Sequence, residues 1–197
     1  MPLVVADLGV SLDGVAAGHD QSLEFPMGER VGQRLHTWMF EDAEDNRAEV
    51  DAIVDAGAFV MGRNMFTAGR GEWDLDWQGW WGPEPPYHGP VFVLTHHPRA
   101  DLVMAGGTTF HFVTDGPAAA LERARAAAGD RNVSIAGGPS TVNAYLSLGL
   151  LDELRLHVAP VTIGDGLRVF DGVPDLRLVP FASRTTTSVT HLTWRRG

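Results

Sequence analysis

The stretch that decides the fold runs from Val133 to Gly166 and reads VSIAGGPSTVNAYLSLGLLDELRLHVAPVTIGDG. It begins with an apolar run the length of a buried strand, and then come paired glycines, Gly137 and Gly138, and the helix-start residues proline, serine and threonine. Apolar residues recur at helical spacing to about Gly149, and residues 154–158 alternate as a strand does. The pattern predicts a strand, a glycine turn, a helix and a second strand, which is a βαβ unit.

A glycine turn at the start of a helix has two interpretations. Free backbone N–H groups and the helix dipole form an anion site there, and glycines let a phosphate approach the backbone closely. The same turn also occurs where no phosphate binds, and the residues of this stretch alone leave both interpretations open. The Rossmann pattern G-x-G-x-x-G is absent, and a Walker P-loop is excluded because the chain contains no lysine.

Composition excludes several classes of function. A chain of 197 residues with 44% hydrophobic content predicts one globular domain spanning residues 1–197. The net charge of −10 argues against a nucleic-acid partner and against an anionic membrane surface. The absence of cysteine and lysine excludes thiolate and Schiff-base chemistry. No apolar run reaches membrane-spanning length, so we expect a soluble cytoplasmic protein.

Other short apolar runs predict further buried strands that alternate with helices. The predicted strands are Leu3–Gly9, Ala58–Met61, Val91–Leu94 and Phe110–Thr114. The predicted helices are Arg30–Phe40, a stretch through Val54, and Pro117–Ala128. The residues Thr185–Trp194 are predicted to form a closing strand or a hairpin at the edge of the sheet. Several of these strands end close to a glycine or a polar residue. The chain therefore reads as a single α/β domain.

Candidate binding residues follow three of the strands. Arg63 and Asn64 follow Gly62, where the arginine could clamp a phosphate and the asparagine could cap a short helix, although a surface ion pair is the alternative for the arginine. Thr95 and His96 end another strand and could hydrogen-bond a nucleotide. The adjacent histidines have no carboxylate at metal-ligand spacing, so no metal site is predicted.

Two further segments carry candidate residues. Asp13 lies in a loop at the end of the first strand, where it could serve a functional role or satisfy its own turn. Four of the six tryptophans fall within Glu72–Pro90 among glycines and prolines. Trp77, Trp80 and Trp81 could line a pocket for a planar substrate, or the segment could fold over the core as a lid.

Taken together, the motifs resemble those of the dihydrofolate reductase-like superfamily. They are LGVSLDGVAAG (8–18), VMGRNMF (60–66), VFVLTHHP (91–98), VSIAGGPSTVNAYLSLGLLDEL (133–154) and PVTIGDGLRVFDG (160–172). Within that superfamily the sequence is most similar to the branch typified by the C-terminal reductase domain of the bacterial riboflavin biosynthesis protein. The resemblance covers nearly the whole chain in the same order.

The resemblance implies a three-layer α/β fold with a mostly parallel central sheet, flanking helices and an antiparallel closing strand. It also implies NADPH bound across the carboxyl ends of the strands, and a homodimer. The implied cofactor contacts are Gly137, Gly138, Ser140 and Thr141 at the pyrophosphate, Gly62, Arg63 and Asn64 at the phosphates, Thr95 and His96 at the adenosine end, and Ala6 at the nicotinamide. Asp13 would face the substrate as the catalytic residue.

These features predict an NADPH-dependent reductase that transfers a hydride to a small C=N or C=O compound, such as a pteridine, a pyrimidine or a related metabolite. The acidic residue that dihydrofolate reductases use for protonation has no match here, which argues against folate. The absence of lysine argues against the phosphorylated aminouracil. The alternative is a non-catalytic protein of the same fold that binds a nucleotide and sequesters a drug or another planar ligand.

Overall fold

The computed structural model describes all 197 residues and contains eleven strands, five α-helices and one short 3₁₀ helix, Ala105–Gly107. The strands are β1 Val4–Ser11, β2 Val15–Ala17, β3 Ala58–Gly62, β4 Pro90–Leu94, β5 Leu102–Val103, β6 Thr109–Val113, β7 Val133–Gly137, β8 Glu153–Ala159, β9 Leu167–Arg168, β10 Leu178–Thr185 and β11 Thr190–Arg196. The helices are α1 Thr37–Phe40, α2 Arg47–Val54, α3 Arg63–Phe66, α4 Pro117–Ala128 and α5 Pro139–Ser147.

Nine of the strands form one sheet in the order β10-β11-β8-β1-β7-β3-β4-β6-β5. The six strands from β8 to β6 in this order run parallel, and β11, β10 and β5 pair antiparallel at the two edges. Strands β2 and β9 pair separately as a short ribbon. The predicted fold class, a mostly parallel sheet with antiparallel closure, is confirmed.

Helices cover both faces of the sheet, which gives three layers. On one face α4 and α5 pack on alternate residues of β1, β3 and β7, and Tyr145 of α5 donates a 2.7 Å hydrogen bond to the carbonyl of Pro117 at the start of α4. On the other face lie α1, α2, α3 and the tryptophan-rich segment. Side chains of α3 and of the tryptophan-rich segment pack on Phe59, Met61 and Val93. Because side chains alternate along each strand, the strands supply both cores.

One sequence expectation differs from the structure. The helix predicted over Arg30–Phe40 is helical only from Thr37 to Phe40, and the preceding residues form turns. Gly32 adopts a positive φ of 49°, which interrupts the helix, although Val31, Leu35 and Trp38 are fully buried as the apolar stripe indicated. At the other end of the chain, β10 and β11 form a hairpin that joins β8.

None of the helices combines the length and the apolar character that a bilayer-spanning segment requires.

Candidate functional site

The strand order places a crevice at the carboxyl end of β7. The chain leaves β1 and β3 toward the face that carries α1 and α3, whereas it leaves β7 toward α5 on the opposite face. Where neighbouring parallel strands send their connections to opposite faces, a crevice opens at the sheet edge, and ligands of open α/β sheets bind there. The glycine turn after β7 lies at this position.

The predicted phosphate cradle is the turn that joins β7 to α5. Gly137 has a φ of 116°, and Gly138 is the N-terminal cap of α5. No heavy atom lies within 4 Å of where a Cβ on Gly138 would stand, so this side of the turn is open. Ser140 is exposed, whereas Thr141 is buried. A polar cleft of about 280 Å³ begins at Ser140 and runs between α5 and residues 167–172.

The start of α3 lies against the start of α5. A Cβ on Gly62 would overlap the hydroxyl oxygen of Thr141, so glycine is needed for the two helix starts to approach this closely. Gly62 is also the cap of α3, and Asn64, which the sequence predicted as a cap, lies inside the helix. The two glycine-containing turns that the sequence singled out therefore form one surface.

Arg63 is placed beside this surface with part of its hydrogen-bonding capacity unused. Its guanidinium lies 4.0 Å from the ring centroid of Trp73 and donates a weak 3.4 Å hydrogen bond to the carbonyl of Glu72. Its Nε is buried and has no hydrogen-bond partner. Burial lowers the pKa of Arg63, and the charge of the nearby Arg70 adds to this effect. An anion bound at the accessible side of the guanidinium would offset the repulsion between the two arginines.

The other phosphate and adenosine candidates are arranged as follows. Asn64 accepts a 2.7 Å hydrogen bond from Arg70 and donates one of 3.2 Å to Gln21, so it connects the loop after β2 to the arginines. Thr95 is buried, and its hydroxyl closes its own turn through the backbone of His97. His96 is exposed at the same strand end and faces solvent.

Asp13 is held as a carboxylate by three donors. The hydroxyl of Ser11 and the backbone N–H groups of Ile163 and Gly164 donate to it at 2.6, 3.1 and 2.7 Å. These hydrogen bonds, first that of Ser11, hold the pKa of Asp13 well below its usual range. The residue thus ties the turn after β1 to the loop after β8, and these bonds disfavour it as a proton donor at neutral pH.

Ala6 is the last residue of β1 that pairs with β7. It is 0% exposed and is paired with Ile135 on one side and Leu154 on the other. The nicotinamide contact that the resemblance implied for Ala6 stays a prediction, and the two strands part directly after this residue. Gly9 and Ser11 lie nearer the carboxyl end of the strand.

The tryptophan-rich segment packs over β3, β4 and β6. Trp81 stacks on Phe110 at 5.9 Å and meets Tyr87 edge-on at 5.1 Å. Trp77 donates a 2.8 Å hydrogen bond to the carbonyl of Phe66, and Trp80 contacts the ring of Trp77 at 4.7 Å. The structure therefore forms the predicted lid, which lies beside Arg63 and several strands away from Asp13.

A buried polar network lies beneath α1 and was not predicted from the sequence. Asp7, His157 and His191 lie side by side on β1, β8 and β11, and Asn46 closes the row. Trp38 packs against both histidine rings, with centroids at 4.5 and 5.2 Å. The signal available in the sequence was a polar residue at alternate positions of otherwise apolar strands, as in LRLHVA, which indicates a sheet face with buried polar groups.

The three-layer fold, with a glycine turn at the strand where the connections change face, defines a protein of the dihydrofolate reductase-like class. Within that class, the chain belongs to the family of the RibD C-terminal domain, which matches residues 2–192. The riboflavin biosynthesis protein RibD of Mycobacterium tuberculosis (strain CDC 1551 / Oshkosh) is 26% identical over 174 residues, which are 88% of this chain and 46% of the relative. The chain thus spans about half the length of that protein.

Solved structures share the fold over the full chain. A putative riboflavin biosynthesis protein from Shewanella sp. PV-4 superposes with a TM-score of 0.63 at 21% identity and covers 99% of both chains. A pyrimidine reductase-like protein from Corynebacterium diphtheriae superposes with a TM-score of 0.58 at 16% identity, covering 99% of this chain and 92% of its own.

Proposed function

We propose that this protein is an NADPH-dependent reductase that transfers a hydride to a C=N or C=O bond of a small planar metabolite, such as a pteridine or a pyrimidine. The observation that carries the proposal is the position of Arg63, which follows Gly62 at the joined starts of α3 and α5 and lies close to the like charge of Arg70. Membership of the RibD C-terminal domain family supports a reductase.

The residues at the crevice fit a phosphorylated dinucleotide. The open side of Gly138 and the first turn of α5 would receive the pyrophosphate, with the exposed Ser140 as a further donor. Arg63, supported by Arg70, would hold the 2′-phosphate of the adenosine ribose. His96 would flank the adenosine, while the buried Thr95 holds the turn that presents it.

When bound, the dinucleotide supplies the hydride from its reduced nicotinamide ring. The protein positions that ring and the substrate and excludes water from between them. Asp13, which the sequence suggested as the catalytic residue, would act by fixing the turn after β1, since its hydrogen bonds keep it ionised. A bound water would then supply the proton that completes the reduction.

Cofactor selectivity tests this proposal. Arg63→Ala should weaken NADPH binding roughly 10- to 100-fold, the loss expected for a charge-assisted contact to phosphate. NADH, which lacks the 2′-phosphate, should bind the variant and the wild type equally. Binding is measured by titration of tryptophan fluorescence, since Trp73 lies directly over the guanidinium.

Arg123→Ala is the matched control, because this arginine pairs with Asp115 on the exposed side of α4. It should leave the affinity for both cofactors unchanged. If NADPH at millimolar concentration neither binds nor raises the melting temperature of the wild-type protein, the cofactor assignment is wrong.

The bonding of Asp13 favours one alternative, a protein that binds the nucleotide and a planar ligand without turnover, because the expected proton donor is engaged. NADPH oxidation across a panel of imines, ketones and dihydropterins separates the two functions. A protein that binds NADPH and a panel compound but oxidises no cofactor is a binder.

We also propose a homodimer. The long edge strand β10 exposes Val179 and Phe181 and has no partner on its outer side, and an apolar sheet edge of this kind commonly pairs with another chain. Light scattering after size-exclusion chromatography should give twice the chain mass of 21.3 kDa. A single species at the monomer mass would contradict the expectation.

A further inference from the structure

Helix α5 holds the segment 167–172 through a single side chain. Asn143 is buried in the middle of α5, and its amide group donates 3.2 Å hydrogen bonds to the carbonyls of Arg168 and Asp171. Its Oδ1 accepts a 3.1 Å hydrogen bond from the backbone N–H of Phe170. No other hydrogen bond joins α5 to this segment, and the polar cleft of about 280 Å³ runs between the two. The polar link therefore depends on Asn143.

The backbone of Phe170 shows how firmly the segment is held. Its φ of 74° lies in the left-handed region, which a bulky residue seldom adopts. Phe170 is 41% exposed, so burial of its ring does not account for this conformation. The bond to Asn143 fixes its N–H, and a 3.2 Å hydrogen bond from the N–H of Arg168 to the carboxylate of Asp171 closes the turn around it. Backbone held in this way is concentrated at functional sites.

The same segment holds the turn after β1. The guanidinium of Arg168 donates to the carbonyl of Asp13 and, at 2.7 Å, to that of Gly164. The N–H of Val169 donates a 2.9 Å hydrogen bond to the carbonyl of Gly14, and β9 pairs with β2 just beyond the turn. The chain of contacts thus runs from α5 through Asn143 to the segment, and from the segment through Arg168 to the turn.

The turn and the glycine cradle lie along one open strand edge. Strand β1 pairs with β7 only as far as Ala6, whereas its pairing with β8 continues to Ser11. The β7 side of β1 is therefore unpaired beyond Ala6, over roughly 16 Å of strand. The glycine turn adjoins this edge, since a Cβ on Gly137 would lie 3.7 Å from the side chain of Leu8. A dinucleotide with its pyrophosphate at the cradle has this edge beside it, and the edge ends at the turn.

We propose that Asn143 and Arg168 are positioning residues that hold the turn after β1 in register with the phosphate cradle. The cradle is the start of α5, and Asn143 belongs to the same helix, so the two residues fix the nicotinamide side of the site relative to the phosphate side. Neither side chain touches the reacting atoms. This inference rests on the proposed reductase function and names the residues that set the geometry of its site.

Two probes separate the sides of the site. NADPH occupies both, whereas adenosine 2′,5′-bisphosphate carries the phosphates of the adenosine half and no nicotinamide. Asn143→Ala and Arg168→Met should each weaken NADPH binding about tenfold, because a turn correctly placed about a tenth of the time lowers the apparent affinity by that factor. The affinity for the bisphosphate should be unchanged. A general loss of structure, or the lost charge of Arg168, would act on both probes, so only the selective loss supports the proposal.

Ser147→Ala is the matched control. Ser147 lies on the same helix and lines the same cleft, but it makes no hydrogen bond to the segment 167–172. Its replacement should leave the affinity for both probes at the wild-type value. Titration of tryptophan fluorescence measures all four proteins.

Amide hydrogen exchange tests the turn itself without any ligand. The N–H groups of Ile163 and Gly164 donate to the carboxylate of Asp13, so they report whether the turn stays in place. They should exchange faster in Asn143→Ala and Arg168→Met than in the wild type. Amides of the central strand β3 should keep their wild-type exchange rates, which shows that each variant is folded.

The outcomes distinguish this inference from the proposed function. A wild type that fails to bind either probe would overturn the cofactor placement and this inference with it. A wild type that binds both probes, with variants that bind NADPH equally well or lose both probes in parallel, would overturn the positioning role alone. Unchanged exchange at Ile163 and Gly164 in both variants would also overturn that role.

Discussion

Nδ1 of His157 and Nδ1 of His191 lie 2.7 Å apart in the core of the protein. The amide of Asn46 determines which of them donates. Its Nδ2 gives hydrogen bonds to the carbonyls of Trp38 and Asp42, so its Oδ1 faces Nε2 of His191 at 2.9 Å and must accept. His191 is then protonated on Nε2 and accepts on Nδ1.

His157 must therefore donate through Nδ1. Its other nitrogen, Nε2, lies 3.2 Å from the buried carboxylate of Asp7, and a carboxylate can only accept. A proton between Nε2 of His157 and the carboxyl group of Asp7 completes this row of hydrogen bonds.

Two buried histidines, His36 and His191, predict a loss of stability in mild acid. Burial lowers the pKa values of His36 and His191 to about 4, while an unfolded histidine has a pKa near 6.5. The unfolded chain therefore binds more protons between these values, and the native state loses stability as the pH falls from about 6.5 toward 4. We expect the free energy of unfolding to fall by roughly 2 to 4 kcal/mol between pH 7 and pH 4.5.

Urea titrations at several pH values measure this dependence. His191→Gln removes one of the two titrating groups and should flatten the curve in this window. His88→Gln, a substitution of an exposed histidine, should leave its slope unchanged. A wild-type protein as stable at pH 4.5 as at pH 7 would show that the buried rings are not held neutral.

The fold could be predicted because its signals are local. The apolar runs of β3, β4 and β7 and the alanine-rich helix α4 have the length and period that their burial requires, so both cores followed from the pattern. The predicted helix was longer than the observed helix α1 because the apolar stripe continues through residues 31–35, where Gly32 turns the chain. An apolar stripe indicates that its residues are buried, and consecutive turns can bury them as well as a helix can.

The candidate site was predictable only in part. Gly62, Gly137 and Gly138 carry a backbone requirement that is visible in the sequence, and the structure brings their turns together. The partners of Asp13 and His157 lie about 150 and 34 positions away along the chain, so no local pattern could reveal them. Likewise, Gly9 signals a close approach, but only the fold shows that the approaching group is His36.

Gly62→Ala should disturb the packing contact between the starts of α3 and α5, where Gly62 meets Thr141. The backbone of Gly62, with φ −77° and ψ 158°, suits alanine, so the whole penalty comes from overlap with the hydroxyl of Thr141. We expect a loss of about 1 to 3 kcal/mol in the free energy of unfolding, as for other overpacked sites, together with weaker NADPH binding. Thermal and urea unfolding measure the stability change.

Thr141→Ala supplies the control for this substitution. Removing the hydroxyl and methyl groups opens space, so the double variant should recover part of the stability lost by Gly62→Ala, and a double-mutant cycle should give a coupling energy of at least about 0.5 kcal/mol. Strict additivity would show that the two residues do not meet.

Asp13→Asn should loosen the turn after β1 without changing how activity depends on pH. Asp13 now accepts hydrogen bonds from three donors. Asparagine would place an NH₂ group, which cannot accept, opposite at least one of them, so the melting temperature should fall. Because the pKa of Asp13 lies well below its usual range, its titration falls outside the accessible pH interval. Once a substrate is identified, the profile of kcat against pH should keep its shape in the variant. A limb of the profile that disappears would identify Asp13 as the titrating group.

The tryptophans of the lid should differ in what they stabilise. Trp81 fills the core between Tyr87 and Phe110, so Trp81→Leu should cost roughly 2 to 4 kcal/mol of unfolding free energy. Trp80 contacts only the ring of Trp77 among the aromatic residues, and Trp80→Leu should cost less than about 1 kcal/mol. Urea unfolding separates the two variants.

The same pair decides between the two interpretations of the lid. If the lid packs beside the adenosine end of the cofactor, as its position beside Arg63 indicates, Trp80→Leu should leave unchanged the KM for the substrate that accepts the hydride. A rise in that KM of tenfold or more, with NADPH affinity preserved, would instead show that the lid reaches across the crevice and stacks on the substrate. Trp80 is the better probe of this question because its replacement leaves the core around Phe110 in place, so a change in KM cannot be attributed to a disturbed fold.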